Sequence, residues 1–205
     1  ESTSLLPHIN AGVMSVLELA KLKEVSVSQG LMLESISNRL LKKGAAHYGS
    51  PDKIPEVRLE MIKQAGELNI PFTSGILIGI GENRIERVEA LLALRELQEK
   101  YGHIQEIIIQ NFKAKPGTPM QYHPEPELEE VLWTVAIARI LFGPEMNIQT
   151  PPNLNAEHLE KILDAGINDW GGISPLTPDH VNPEAPWPEL ENLSEMMTSL
   201  GKCLT

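Results

Sequence analysis

Gly75-Ile76-Leu77-Ile78-Gly79-Ile80-Gly81-Glu82 is the stretch of this 205-residue sequence whose spacing first suggests chemistry. Read as a phosphate loop it fails: no Lys-Ser or Lys-Thr follows, no third glycine falls at the dinucleotide spacing, and Glu82 would repel a phosphate. Glycines at 75 and 79 inside an apolar run instead remove side chains where a flat ligand, such as an adenine edge, or another backbone must come close. Glu34 ends the run Gly30-Leu31-Met32-Leu33. A carboxylate there can accept two hydrogen bonds from a vicinal diol, face a cation, or sit solvated at a helix start. Asn153 and Asn155, behind Thr150-Pro151-Pro152, are candidate site amides, and Asn155 also suits a helix N-cap. Within Asn168-Asp169-Trp170-Gly171-Gly172, Asp169 can serve as a general acid or base, or satisfy loop amides. The histidines at 8, 47, 103, 123, 158 and 180 show no metal-ligand spacing, and only His8, with Asn10 close behind, is a site candidate. No nucleophile elbow and no Ser-His-Asp or Cys-His arrangement is present.

These residues need elements to position them. Strands are expected at Ser4–Ile9, Ser28–Leu33, Phe72–Ile80, Glu106–Asn111, Asn147–Thr150 and, weakly, Ile167–Gly171. Helices are expected behind Ser15, at Asn38–Lys43, from Pro55, over Arg84–Tyr101 with Gly102 as its stop, over Glu127–Leu141, from Asn155 to Ala165, and over Glu189–Leu200. About six strand-then-helix units in a row predict an α/β fold with a parallel sheet, either doubly wound or a barrel. Ala65-Gly66 before one strand echoes Ala165-Gly166 before another, which favours a TIM-type barrel. His8, Asn10, Glu34, Ser35, Glu82, Asn111, Lys113, Asn153 and Asp169 all follow strands, the rim where barrels build their sites. A complete barrel has eight units over about 250 residues, so the sequence is expected to be one barrel domain, 1–205, short of its first two units.

Composition narrows the function classes. The formal net charge is −11, and no block of Lys and Arg tracks a phosphate backbone, which argues against a nucleic-acid partner. Cys203 is the sole cysteine, so no disulfide, cysteine zinc site or iron–sulfur cluster can be built from these residues alone, and the expected compartment is the cytoplasm. No apolar run approaches the roughly 20 residues that span a bilayer, so no membrane partner is expected. Residue 1 is Glu, so the natural chain is expected to begin upstream.

Five stretches together resemble one family: Leu6-Pro7-His8-Ile9-Asn10-Ala11-Gly12, Gly30 to Ser35, Pro71 to Glu82, Ile109-Gln110-Asn111-Phe112-Lys113-Ala114-Lys115-Pro116-Gly117-Thr118-Pro119-Met120, and Gly166 to Gly172. It is the radical S-adenosylmethionine enzymes that complete the deazaflavin chromophore FO, the 7,8-didemethyl-8-hydroxy-5-deazariboflavin synthases; biotin synthase is a more distant likeness. The resemblance covers nearly the whole chain and implies a radical S-adenosylmethionine barrel with about six of eight units present.

The resemblance also implies chemistry. A 4Fe–4S cluster and S-adenosylmethionine generate a 5′-deoxyadenosyl radical, which abstracts hydrogen from an adduct of 4-hydroxybenzyl and ribityl-diaminouracil; ring closure with loss of ammonium gives FO. A partner radical enzyme is implied to supply the adduct. Gly75, Leu77, Gly79 and Glu82 match the adenine-side motif, with Leu77 in place of the more usual Ile. Glu34 matches the carboxylate on the ribose hydroxyls, with Ser35 beside it. Asn111 and Asp169 fall on the substrate side, Asp169 as proton acceptor, and His8, Asn10 and Asn153 complete the substrate set. The family's CxxxCxxC cluster loop and glycine-rich amino-group motif have no counterpart in these residues and are expected upstream. A chain lacking them is expected to be inactive alone. Two other readings stand beside this one: a barrel lyase or aldolase using Asp169 or Glu82 as base without radicals, and a non-catalytic module binding a ribityl compound or partner protein.

Overall fold

A computed structural model describes residues 4–174 and 176–204; Glu1 and Pro175 lie outside them. Five parallel strands, β1 (His8–Ile9), β2 (Ser28–Gly30), β3 (Phe72–Ile78), β4 (Ile104–Asn111) and β5 (Asn147–Gln149), form one sheet in sequence order. A doubly wound sheet reverses its order midway. Monotonic order, with a helix in each of the four crossovers, is instead an arc of a βα barrel.

The helices are α1 (Val16–Lys23), α2 (Pro55–Glu67), α3 (Arg84–Tyr101), α4 (Leu128–Phe142), α5 (Leu159–Ala165) and α6 (Leu190–Ser199). Ser15 and Glu18 form a reciprocal capping box at the start of α1, and Asn83 and Glu86 do the same for α3. Gly102 ends α3 in the left-handed region at φ 64°. No helix of the described residues is long and apolar enough to cross a membrane.

Register assigns every strand residue a face. Thr73, Gly75 and Leu77 pair with Glu106, Ile108 and Gln110 on one face of β3 and β4. Phe72, Ile76, Ile78, Ile107 and Ile109 face the other way and are buried against Met61, Ile62, Leu91, Leu94, Val131 and Val135 of α2, α3 and α4. The helix-facing side of the sheet is therefore the core. The opposite side carries His8, Ser28, Thr73, Glu106, Asn147 and Asp169, a polar inner face.

Several expected elements are shorter, for local reasons. Beyond Gly30, β2 gives way to a single bridge from Glu34 to Ile76, with Glu34 itself at φ 63°. Asn38–Leu41 is one 3-10 turn where a helix to Lys43 was expected. The strand β3 stops at Ile78 because Gly79 turns to φ 89° and the Glu82 carboxylate takes the N–H groups of Gly79 and Ile80. The sixth strand is reduced to one bridge between Gln149 and Asp169. There the Asn168 side-chain oxygen accepts the Ile148 N–H at 2.8 Å, and Gly171 departs at φ 72°. Asn155 does not cap a helix: at φ −142° it kinks the 3-10 segment Pro152–His158 ahead of α5.

Candidate functional site

The C-terminal ends of β3 and β4 and the loops beyond them enclose a cavity of about 510 Å³. Leu77 and Phe112 give it apolar walls and Tyr48 closes one side, while Asn111 and Asn182 are its buried polar groups. Asn111 is placed by the last register pair of β3 and β4, opposite Ile78, and its Oδ1 accepts from Asn155 Nδ2 at 2.8 Å. Leu77 and Asn111, drawn from different sequence motifs, are thus brought to one site.

A smaller cavity of about 250 Å³ is lined by Asn10, Gly30, Glu34, Arg58, Thr73 and Ile108. His8 reaches Ser28 Oγ at 2.7 Å through Nδ1 and Asn10 Oδ1 at 3.2 Å through Nε2. Since Asn10 Oδ1 only accepts, Nε2 carries the proton. A Cβ on Gly30 would lie 3.1 Å from His8 Nε2, so the bare backbone at 30 makes room for this pair. Glu34 stands among three nitrogen side chains: His47 Nε2 lies 3.1 Å from Oε2, Arg58 Nη1 lies 3.1 Å from Oε1, and Lys53 also donates to Oε1. Burial pushes the Glu34 carboxyl up, yet hydrogen bonds from His47 and Lys53 and the charges of Arg58 and Lys53 outweigh it and hold the group at about 2. Ser35 is buried beside it, its hydroxyl accepting the Ser37 N–H at 3.2 Å.

The sign of the pH dependence follows. A carboxyl depressed in the folded state contributes stability above its ordinary value near 4.5, and that contribution is lost as pH falls from there towards 2. Unfolding measured across that window should show a steep acid loss that is flatter in Glu34→Gln; equal slopes for the two proteins would show the depression is absent.

On the inner face, Thr73 Oγ1 donates to Glu106 Oε1 at 2.6 Å, and Asp169 lies against the same carboxyl. Burial pushes Glu106 up, and the hydrogen bond and charge of Asp169 push it further, against the Thr73 hydroxyl and the charge of His8. Asp169 Oδ1 also accepts the Gly171 N–H at 2.7 Å. A larger hollow, of about 970 Å³, runs from Asp169 and Asn147 to Leu190 and Met197 of α6.

Other residues singled out from sequence serve the framework. Glu82 is 2% exposed at its side chain, held by Gly79 N, Ile80 N and, at 2.7 Å, Arg87 Nε. It braces the turn after β3, and at this burial its carboxylate is not an accessible base. A Cβ on Gly75 would strike the Ile108 backbone, and one on Gly79 would lie 2.7 Å from Pro126 Cγ, so both glycines answer to close neighbours within the chain. Asn153 is buried and spends its amide hydrogens on Asp179 Oδ2 (2.9 Å) and Ala185 O (3.0 Å), tethering the segment after Trp170 and not lining the cavity. Sequence reasoning missed Thr73, Glu106, Arg58, His47, Lys53 and Asn182. Glu106 and Thr73 carried a signal, polar residues inside otherwise apolar strands; Asn182 carried none.

S-Adenosylmethionine and an iron–sulfur cluster can be tested against these residues. The first fits: a carboxylate has about four acceptor positions, of which Glu34 uses three, and the adjoining cavity has apolar walls with amide edges. The cluster does not, since Cys203 is exposed and no group of three His, Cys, Asp or Glu among the described residues could hold a metal ion.

Comparison with known proteins places this geometry. The chain is 56% identical over 200 residues to the 7,8-didemethyl-8-hydroxy-5-deazariboflavin synthase of Methanothermobacter thermautotrophicus, covering 98% of this chain and 60% of the relative. It is 53% identical over 203 residues to the FO synthase of Mycobacterium tuberculosis (strain H37Rv), covering 98% of this chain and 24% of the relative. The chain is thus homologous to a segment of each and spans less than two thirds of either. Among solved structures it resembles methylornithine synthase, with a TM-score of 0.75 at 18% identity over 98% of this chain and 59% of that one. It also resembles the FeFe-hydrogenase maturase HydG of Carboxydothermus hydrogenoformans, with a TM-score of 0.73 at 17% identity over 95% and 47%. These two likenesses bear out the partial βα barrel. No family model matches the chain.

Proposed function

We propose, from the homology of this chain to a segment of the FO synthases, that the whole protein forms the deazaflavin FO by radical S-adenosylmethionine chemistry. The observation that carries this is identity above one half spread over 98% of the chain, so that every strand end of the site lies inside the matched region. When bound, S-adenosylmethionine supplies the hydrogen abstraction. Ligands for its cluster would have to come from outside these residues. The substrate is an adduct of 4-hydroxybenzyl and ribityl-diaminouracil, supplied by a partner radical enzyme, and the compartment is the cytoplasm.

The chain's own residues bind, orient and move protons. Glu34 receives one hydroxyl of the ribose at its remaining acceptor position, its carboxylate kept ionised by Arg58, Lys53 and His47. Ring closure releases ammonium, so one nitrogen of the substrate must gain a proton while a C–H or N–H loses one. Asp169 lies beside Glu106, and burial together with that neighbour raises the Glu106 carboxyl. Glu106, raised by burial and by its neighbour, is the member that gives a proton to the leaving amine; Asp169 is the acceptor. Leu77 and Phe112 exclude water from the reacting carbon.

The full-length protein, loaded anaerobically with iron and sulfide, should form FO from the adduct and S-adenosylmethionine. Asp169→Asn should lower kcat by at least about 100-fold, the usual scale of a lost acid or base, with S-adenosylmethionine affinity unchanged. FO formation in air without S-adenosylmethionine would overturn the reading in favour of a non-radical lyase.

A further inference from the structure

Segment 176–187 contributes two residues, Val181 and Asn182, to the wall of the 510 Å³ cavity. Asp179 fixes how the second of them is turned. A carboxylate can only accept, and Asp179 Oδ2 accepts from Asn182 Nδ2 and from Asn153 Nδ2, each at 2.9 Å, while Oδ1 takes the Val181 N–H at 2.8 Å. Burial raises the Asp179 carboxyl, but the hydrogen bonds from Asn182 and Asn153 outweigh it and keep it low. The amide of Asn182 cannot flip without setting its oxygen against that carboxylate.

Asn182 is 6% exposed. With Nδ2 committed to Asp179, its Oδ1 is left for the cavity, and among the described residues no donor reaches it. Asn153 Oδ1, turned by the same carboxylate, is buried without a partner among the described residues. Asn111, 3% exposed on the same cavity, is turned in the opposite sense: its Oδ1 accepts from Asn155, leaving its Nδ2 hydrogens as donors. An acceptor and a donor on two buried residues, each oriented from behind, together with the apolar walls of Leu77 and Phe112, match a planar ring whose edge offers N–H beside an acceptor.

We propose that Asn182 is a specificity-determining residue, presenting a fixed acceptor to the N–H edge of a planar nitrogen heterocycle whose adjacent acceptor meets Asn111. This rests on the reading of the cavity as the site of FO formation. Two rings in that reaction carry such an edge, the adenine of S-adenosylmethionine and the pyrimidinedione of the substrate.

The test measures dissociation constants of S-adenosylmethionine and of ribityl-diaminouracil for the full-length, cluster-loaded protein under anaerobic conditions. Asn182→Leu, which keeps the volume and removes the acceptor, should weaken one of the two ligands about tenfold, the upper range for one neutral hydrogen bond, and leave the other within about twofold. The weakened ligand identifies the ring. Asp179→Asn, which frees the amide to flip, should weaken the same ligand by about threefold. Methylating the ring N–H or amino nitrogen of that ligand should cost the wild-type protein a similar tenfold and cost Asn182→Leu little, a readout that does not depend on the variant's stability alone. Wild-type affinity of Asn182→Leu for both ligands would overturn the proposal. Wild-type protein that binds neither ligand would instead overturn the functional reading, and the proposal with it.

Discussion

Replacing Arg87 by Met should cost the full-length protein about 3–5 kcal/mol of folding stability, the range for removing one partner of a buried ion pair. Arg87 rises from the first turns of α3 and is 6% exposed. Its Nε meets Glu82 Oε1 at 2.7 Å and its Nη1 meets Glu130 Oε2 at 2.6 Å, tying the turn after β3 to α4. Glu130 is partly exposed and keeps Arg84 at 2.6 Å, so it has a second partner. Glu82, 2% exposed, forms no other salt bridge among the described residues and would be left as a buried carboxylate hydrogen-bonded only by two N–H groups. Arg87→Lys should recover part of the loss, since one ammonium cannot reach both carboxylates as a guanidinium fork does. The double variant Arg87→Met/Glu82→Gln should be more stable than Arg87→Met alone, because the unpaired charge is gone. Urea unfolding followed by circular dichroism measures all three, and a loss below about 1 kcal/mol for Arg87→Met would show that the pair carries little. Because the turn that Glu82 braces follows Leu77 directly, the same variant should also weaken whatever binds in the 510 Å³ cavity.

What could be read from the sequence divides along a physical line. The helix Arg84–Tyr101 is legible to its ends because its signals are local: Asn83 and Glu86 at the start, a glycine stop, and apolar residues at helical spacing between them. Phe72 to Ile78 is legible because a run of apolar residues long enough to cross a sheet has few other uses. Asn155 misleads because an Asn before a helix usually caps it, and only the fold brings Asn111, 44 residues away in sequence, within 2.8 Å. The sixth strand fails for a similar reason: Asn168 meets the Ile148 N–H with its side chain, a competition that strand propensity does not register. The site shows the same division. Leu77, Asn111, Glu34 and Asp169 stand at strand ends that sequence order places on one rim. Their partners do not: His47 and Arg58 reach Glu34 from a loop and from α2, and Asn182 comes from a proline-rich segment with no periodicity. Resemblance supplied the chemistry, while the approach of Asp169 to Glu106 needed β5 between them, paired to β4 on one side and bridged from Gln149 to Asp169 on the other.

Gly75→Val should cost about 3 kcal/mol or more, the upper range for an overpacked interior position, and should open the site as it does so. A Cβ at this position would lie 2.7 Å from Ile108 N and 2.8 Å from its carbonyl carbon, and these are backbone atoms that cannot rotate away. Relief requires β3 and β4 to separate, and that pair has the longest ladder in the sheet, seven register pairs from Phe72 to Ile78. Its loss is not local, because Ile76 and Ile78 on one side and Ile107 and Ile109 on the other are buried in the core that α2, α3 and α4 share. Even partial separation moves Leu77 away from Asn111, so ligand affinity should fall before the protein unfolds. Gly79→Ala provides the contrast. There the obstacle is the Pro126 ring and a φ of 89°, both at the end of the strand, so the core ladder can remain intact while the turn distorts. The expected order in urea midpoint is wild type, then Gly79→Ala, then Gly75→Val, with the unfolding slope unchanged for Gly79→Ala. A Gly75→Val protein as stable as wild type would mean that β4 can yield at Ile108, and that the bare backbone at 75 is kept for a ligand instead of for its neighbouring strand.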